Sequence, residues 1–572
     1  METQTRLRKK KKSTLPILAA VLFSLFILAL SGALVFYYMP GSLQVEPYEE
    51  RPLLILGDRI LEPGTLLLEE GEHAMVTLDF FLAEVDPRAF WDPEEQTLSL
   101  TTEGKLIRMN TAQLTAYINR NPVELSFPLK EKEGGLYLPL EFLLPYYPFQ
   151  MTFLPERGIL LLDRDDIKPL PAKTLPAKGL QKVKLREGPS LRSPFYSTLE
   201  AGAPLDIFGE EDGWYRVRDR EGVVGYVSKN DAVLTGPLHL PPASLEYPRR
   251  LPWRPMGEKI NLTWEFAYSR RDTSIIPPMP GVNVVSPTWF HLRDEEGNLR
   301  NLADPAYVSW AHNRGYQVWG LVTNNFNRDL THEVLKSPAK RQKVIDQLLL
   351  FCSMYNLDGI NIDFENMHFE DRDLLTQFMR ELTPLAHEQG LTVSIDVTMI
   401  SRSLNWSLIY DRPALAEIVD YVALMAYDEH WGSSPVAGPV ASLPWVERGL
   451  KAVLEEVPPE KLLLGIPLYA RLWKEEMQEG GGVKVSANAY SMGRIQEIIR
   501  REKAEVVWDE RAQQHYAEYQ KGDILYRVWI EDEESIRRRI ELVHKYNLAG
   551  IASWRRGLED PKIWPLIHQL LK

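Results

Sequence analysis

One cysteine, Cys352, stands among 572 residues. No intrachain disulfide and no cysteine-rich metal site can be built from it. The eleven histidines form no HExxH pattern and no paired ligand spacing, so neither a metal nor another cofactor is expected. Positive charge is also in short supply: 66 Lys and Arg face 79 Asp and Glu, a formal net charge of -13. That balance argues against a nucleic-acid partner, which calls for a basic surface. At 572 residues the chain is too long for a single core, and several domains are the default.

Basic residues concentrate at one place, "RLRKKKK" (Arg6 to Lys12), within a tail of residues 1–14. The next 25 residues, Leu15 to Met39, carry no charge and end on Phe36, Tyr37 and Tyr38. That length crosses a hydrocarbon core as a helix, and the preceding positive charge keeps the N-terminus cytoplasmic. Residues 15–39 are therefore expected to be a single-pass anchor, with everything beyond residue 40 extracytoplasmic. A cleaved signal peptide, cut near Ser31 and Ala33, is the competing reading.

Proline-rich stretches at 165–179 and 236–255 read as stiff linkers and leave three segments. Within 45–164 the chain repeats itself. "VTLDFFL" (Val76 to Leu82) aligns with "LPLEFLL" (Leu138 to Leu144), and "FWDPEEQTLSL" aligns with "TFLPERGILLL" at the same offset. Each unit is a short helix, an aromatic-x-Pro turn and a strand. This resembles the copper amine oxidase N-terminal-like domain, a small α/β repeat. With His73 its only histidine and no cysteine, the segment implies no copper chemistry. Segment 180–235 alternates short strands with Gly, Pro and Asp turns, as in a small all-β barrel. "LREGPS", "GWYRVR" and "GYV" resemble a bacterial SH3-type module, a type that binds cell-wall peptides; a packed spacer is the bland alternative.

Segment 256–572 holds eight apolar strand-like runs, from "KINLTWEFAY" to "LAGIASW", mostly with amphipathic stretches between them. This predicts an α/β fold, an eightfold (β/α) TIM barrel. Residues 474–535 exceed one βα loop and are expected to form an inserted α+β subdomain. Cys352 falls on the apolar face of a helix and reads as core.

In "LDGINIDFENM" the side chains alternate: Ile360, Ile362 and Phe364 on one face, Asn361, Asp363 and Glu365 on the other. In a barrel strand the second set points inward, towards the C-terminal end where barrel enzymes place their chemistry. Carboxylates one strand-step apart have α-carbons about 6.6 Å apart and resist ionising together. One carboxyl then stays protonated near neutral pH, as cleavage of a glycosidic bond requires. A solvated acidic strand face is the alternative.

"DGINIDFE" resembles the DGxDxDxE signature of glycoside hydrolase family 18, the chitinase-like enzymes. "LMAYD" (Leu424 to Asp428), "LGIPLYARLW" (Leu464 to Trp473) and "IASW" (Ile551 to Trp554) resemble that family's motifs on the sixth, seventh and last strands. The resemblance implies that Glu365 is the general acid and then base. It implies that Asp363 orients the substrate's 2-acetamido group and that Tyr427 supports its carbonyl. Met425, Asp428, Tyr469, Arg471 and Asn361 would bind substrate, with Trp554 as the apolar floor, while Asp358 would be structural. The implied mechanism is retaining and substrate-assisted. The signature's middle aspartate is Asn361 here. The loss of a charge beneath Asp363 is expected to lower the pKa of the carboxyl pair. Asparagine at that position, with "AYDEHWGSSPVAGPVASLPWVERGL" and "KYNLAGIASWRRGLED", is similar to the branch of bacterial spore-cortex and cell-wall N-acetylglucosaminidases. The LysM modules of that branch do not occur here.

The resulting expectation is a membrane-anchored hydrolase of an N-acetylglucosamine polymer, peptidoglycan first. A surface chitinase or a glucosaminidase of N-linked glycans is the alternative within enzymes. Trp264, Trp289, Trp319, Trp431 and Trp473 are available to line a cleft for chitin, or to fill a core. A non-hydrolytic lectin or wall-binding scaffold is the alternative of another class.

Overall fold

Strand 4 of the barrel owes its position to the helix before it. Ser337 accepts a hydrogen bond from the Lys340 N–H and Pro338 opens the first turn, so Pro338–Tyr355 starts cleanly. Asn356, left-handed at φ 54°, ends that helix and turns the chain into Gly359–Asp363. These elements come from a computed structural model describing residues 15–38, 41–69, 73–102, 104–111, 113–165, 168–176, 181–236, 257–267, 272–478 and 481–572. The expected basic tail and the second linker, residue 236 apart, lie outside the described residues.

Eight strands close into a parallel barrel: β1 (Ile260–Glu265), β2 (Val284–Leu292), β3 (Gln317–Thr323), β4 (Gly359–Asp363), β5 (Thr392–Thr398), β6 (Tyr421–Met425), β7 (Leu462–Pro467) and β8 (Gly550–Trp554). Every neighbouring pair is parallel, and β1 joins both β2 and β8, which completes the ring. Ile360, Ile362 and Phe364 face the helix layer as expected; Phe364 stacks on Phe378 at 5.8 Å. Cys352 is buried in the same layer. After β7 the chain builds a five-stranded antiparallel sheet with helix Met492–Glu502 before returning, which is the inserted α+β subdomain.

The chain divides into two compact units, and the division differs from the expected segments. Residues 88–128 belong with 248–572, whereas 1–87 group with 129–247. The first group's five short antiparallel strands, Phe90 to Glu124, pack on the barrel's helices. Arg108 reaches the fully buried Glu381 at 2.8 Å, and Glu381 also holds Arg341 at 2.8 Å. Glu95 accepts hydrogen bonds from the Ser337 hydroxyl and the Ala339 N–H. Of the sequence repeat, only "FWDPEEQTLSL" in the first copy thus belongs to the barrel unit; the rest of that copy and the whole second copy belong to the other.

In the other unit the two repeat copies meet: Val76 on strand His73–Thr77 lies opposite Leu138 on strand Gly135–Pro139. The SH3-like sheet has seven strands. One of them, Leu170–Thr174, falls in the expected linker 165–179 and pairs with Pro204–Glu211 and Ala232–Leu234. Prolines suggested an unpaired spacer, yet Pro171 still accepts from the Thr235 N–H, and Ala172 and Thr174 supply the buried contacts. Leu15–Tyr38 is helical. Among the described residues no helix is long and apolar enough to cross a membrane.

Candidate active site

At the C-terminal end of the barrel, β4 delivers Asn361 and Asp363 inward, and Glu365 follows just beyond the strand. Asp363 is buried, and its carboxyl hydrogen-bonds that of Glu365. Its Oδ1 has no partner. Burial pushes Asp363 up to about 7, against the lowering effect of the Glu365 bond. Burial, then the charges of Asp363, Asp396 and Asp428, push Glu365 well above the usual carboxylate range. A carboxylic acid is therefore held protonated near neutral pH, which is what protonating a leaving oxygen requires.

Asp396 on β5 is a third carboxylate in this cluster, and the sequence reading did not include it. It is buried, and it accepts a hydrogen bond from Asn361 Nδ2 at 2.8 Å. Burial and Asp363 push its pKa well up, against hydrogen bonds from Asn361 and Trp264. A carboxylate absent from residue 361 is thus present on the neighbouring strand, and all three carboxyls of the cluster are raised above the ordinary range. Asn361 itself bonds Asp396 rather than Asp363, while its Oδ1 accepts from Trp264 Nε1 at 2.8 Å and Ser286 Oγ at 3.1 Å.

Asn324 was also missed. Fully buried after β3, it grips the backbone of Glu365 at both ends, accepting from its N–H (3.1 Å) and donating to its carbonyl (2.7 Å). Tyr410 donates to the Phe364 carbonyl at 3.0 Å; burial, then Glu365 and Asp363, raise its pKa. Nothing in the sequence marks either residue, because each acts on backbone of a neighbouring strand's loop. Asp396 had a faint signal, a charge at an inward position of "SIDVT".

Of the remaining expected residues, Tyr427 follows β6 and is partly buried. Burial, Asp396, Tyr469, Glu365 and Asp363 raise its hydroxyl pKa, so it stays a donor. Asp428 takes a left-handed backbone at φ 61° and accepts from Tyr469 Oη at 2.5 Å and Arg471 Nη2 at 2.7 Å. Tyr469 and Arg471 share one strand, and the fold brings them to Asp428, 41 and 43 positions away. Met425 ends β6, half-buried. Trp554 ends β8, its ring 6.0 Å from that of Trp264. Asp358 lies at the opposite end of β4, bonded to the Val318 N–H and His312, in a structural place.

Of the five tryptophans available for a cleft, Trp264, Trp289, Trp319 and Trp473 are buried, and Trp431 is exposed. Phe326 and Trp406, both exposed, stand 6.0 Å apart near the mouth. A cavity of about 850 Å³ opens at the N-terminal end of the barrel, lined by Lys259, Asn283 and His568, away from the carboxylates. Among the described residues no cluster of His, Cys, Asp and Glu has the arrangement of a metal site.

Residues 322–559 match the family model "Glycosyl hydrolases family 18", residues 181–232 "Bacterial SH3 domain" and residues 63–154 "Copper amine oxidase N-terminal domain". The cortical fragment-lytic enzyme of Bacillus anthracis is 28% identical over 282 residues, 48% of this chain and 64% of that protein. Its Bacillus subtilis counterpart is 29% identical over 257 residues, 44% of this chain and 58% of that protein. A candidate sporulation-specific glycosylase of Bacillus subtilis is 29% identical over 277 residues, 47% of this chain and 64% of that protein. The chain thus spans less than two thirds of these relatives' own lengths. Among solved structures, the C-terminal domain of a chitinase candidate from Desulfitobacterium hafniense DCB-2 superposes with a TM-score of 0.51. It is 26% identical, covering 55% of this chain and 100% of that one. With the closed barrel and the carboxylate cluster at its C-terminal end, these matches identify residues 322–559 as a domain of the glycosyl hydrolases family 18 type.

Proposed function

We propose that this chain is a membrane-anchored, extracytoplasmic hydrolase of N-acetylglucosamine polymers, with peptidoglycan its principal substrate. The observation that carries the reading is the hydrogen-bonded Asp363–Glu365 pair, Asp363 buried and Glu365 partly so, raised in pKa and with no cation bonded to it among the described residues. The cortical fragment-lytic relatives favour a wall polymer. An N-terminal apolar helix and an SH3-like module suit work on a nearby wall.

In this mechanism Glu365 gives its proton to the leaving oxygen while the acetamido oxygen of the substrate attacks the anomeric carbon. The glycosidic bond breaks and an oxazolinium ion forms. Asp363 accepts from the acetamido N–H and offsets the positive charge, and Tyr427 donates to the acetamido oxygen. Glu365, now ionised, takes a proton from water, which opens the ring with overall retention. Trp554 supplies the apolar floor, and the Asp428–Tyr469–Arg471 cluster holds sugar hydroxyls. No protein nucleophile is required.

A second reading, chitin hydrolysis, draws on the exposed rings of Phe326, Trp406 and Trp431 and on the chitinase candidate of the same fold. The chain and its Glu365→Gln variant should be incubated with peptidoglycan and with chitin oligomers, and the products reduced with borohydride and read by mass spectrometry. New reducing-end N-acetylglucosamine from peptidoglycan, absent with the variant, is the expected result. Release from chitin alone supports the second reading. Binding of either polymer with no cleavage across the pH range contradicts both and favours a scaffold.

A further inference from the structure

The pairing of β4 with β5 sets Asn361 opposite Ser394 and Ile362 opposite Ile395. Continued by one residue, that register places Asp396 level with Asp363 on the adjacent strand, about 4.8 Å away between backbones. Ile395 and Val397 belong to the outer core, so Asp396 between them points inward, as Asp363 does. Asp363 Oδ1 is buried without a partner. Asn361 serves Asp396 as a neutral bridge: it donates to Asp396 while accepting from Trp264 and Ser286. A carboxylate at 361 beside Asp396 would have no donor to offer and would set two acceptors face to face. A carboxylate at 396 therefore goes with an amide at 361.

We infer that Asp396 is the positioning carboxylate of this site, taking up the proton of Asp363 when Asp363 turns to the substrate's acetamido N–H. The O–H bond on Asp363 breaks and one forms on Asp396, so the three carboxyls keep their total charge. Glu365 retains its own proton for the leaving oxygen. The titratable groups facing Asp396 are Asp363 and Glu365 from β4 and its loop, Tyr410 from the segment after β5 and Tyr427 after β6. The inference rests on the hydrolase reading above, and it assigns a role to a residue that reading does not use.

The test is a charge swap in the full chain: D396N, N361D and the double variant N361D/D396N. Turnover is measured on an aryl glycoside of N-acetylglucosamine oligomers, with a pH profile and a thermal unfolding curve. D396N is expected to lower kcat about 30-fold or more with KM within about threefold. Its basic limb should move to lower pH, because Glu365 loses a neighbouring negative charge. N361D is expected to be impaired as well. The double variant should recover at least about tenfold over either single change and restore the limb, since the carboxylate and its donor have only exchanged places. A D396N enzyme within about threefold of wild type with an unmoved limb overturns the inference. So does a double variant no better than the worse single one, which is the mark of a merely structural Asp396. A wild type inactive on every N-acetylglucosamine substrate would fault the hydrolase reading instead. A carboxyl titration by carbon-13 NMR then decides the coupling without turnover: Asp363 must ionise at lower pH in D396N, and an unchanged titration overturns the inference.

Discussion

Glu381 and Glu365 are both acids sunk into the barrel unit, and the fold holds them in opposite protonation states. Burial pushes Glu381 up, but Arg108 and Arg341 outweigh it and hold the carboxyl below its usual range. Glu365 is less completely enclosed, with burial still its largest raising influence and no guanidinium bonded to it among the described residues; its neighbours are Asp363, Asp396 and Asp428, and all of them push the same way. Burial alone does not decide whether an acid is charged. The sign of what stands beside it does. Towards the helix layer, charge is neutralised and serves packing; at the mouth of the barrel it is left uncompensated, and the result is a stored proton.

Removing that stored proton should have the largest effect. Glu365→Gln is expected to reduce kcat by about 10³-fold or more while the melting curve stays intact, measured as turnover per folded molecule. Asp363→Asn should cost roughly 10²-fold in kcat, and it carries a second signature. A carboxyl raised in the folded state binds its proton more tightly there than in the unfolded chain. Its contribution to stability is complete at acid pH and is lost as pH climbs from the ordinary carboxylate value towards about 7. Asp363→Asn should therefore raise Tm by roughly 3–6 °C at about pH 8, by roughly a third of that near pH 5, and hardly at all near pH 3. Equal shifts at these pH values would break the contrast between the two acids.

The opposite pattern is expected on the other side. Arg341→Met leaves Glu381 buried with one guanidinium fewer and should destabilise the fold by about 3 kcal/mol, read by denaturant unfolding. Activity per folded molecule should change little, because Glu381 stores no proton for the reaction. The smallest effect is expected from Tyr469→Phe, which removes the 2.5 Å bond to Asp428. KM should rise about fivefold with kcat within about twofold.

The Glu365 side of this contrast was legible in the sequence, and the reason is periodicity; the Glu381 side was not. Strict alternation through Ile360–Glu365 fixed which side chains point inward, and the run of strand and helix patterns pointed to a barrel with its chemistry at one end. What escaped notice depends on register between strands. Asp396 becomes meaningful only when β5 is laid beside β4, and Asn324 only when its amide is seen to grip the Glu365 backbone. Prolines in "KPLPAKT" read as a linker although the segment is a sheet strand, bonded through the Pro171 carbonyl and through the N–H and carbonyl of Thr174. The transfer of residues 88–128 to the barrel unit was not visible either, since it turns on Arg108 meeting a glutamate 273 positions away.

The most direct test of the stored proton is a carbon-13 NMR titration of labelled aspartate and glutamate carboxyls in the full chain, with E365Q and D363N used for assignment. At about pH 6 the resonances of Glu365 and Asp363 should still report protonated carboxyls, while that of Glu381 reports a carboxylate. If all three have ionised by about pH 5, the cluster stores no proton at working pH, and the account of this site fails.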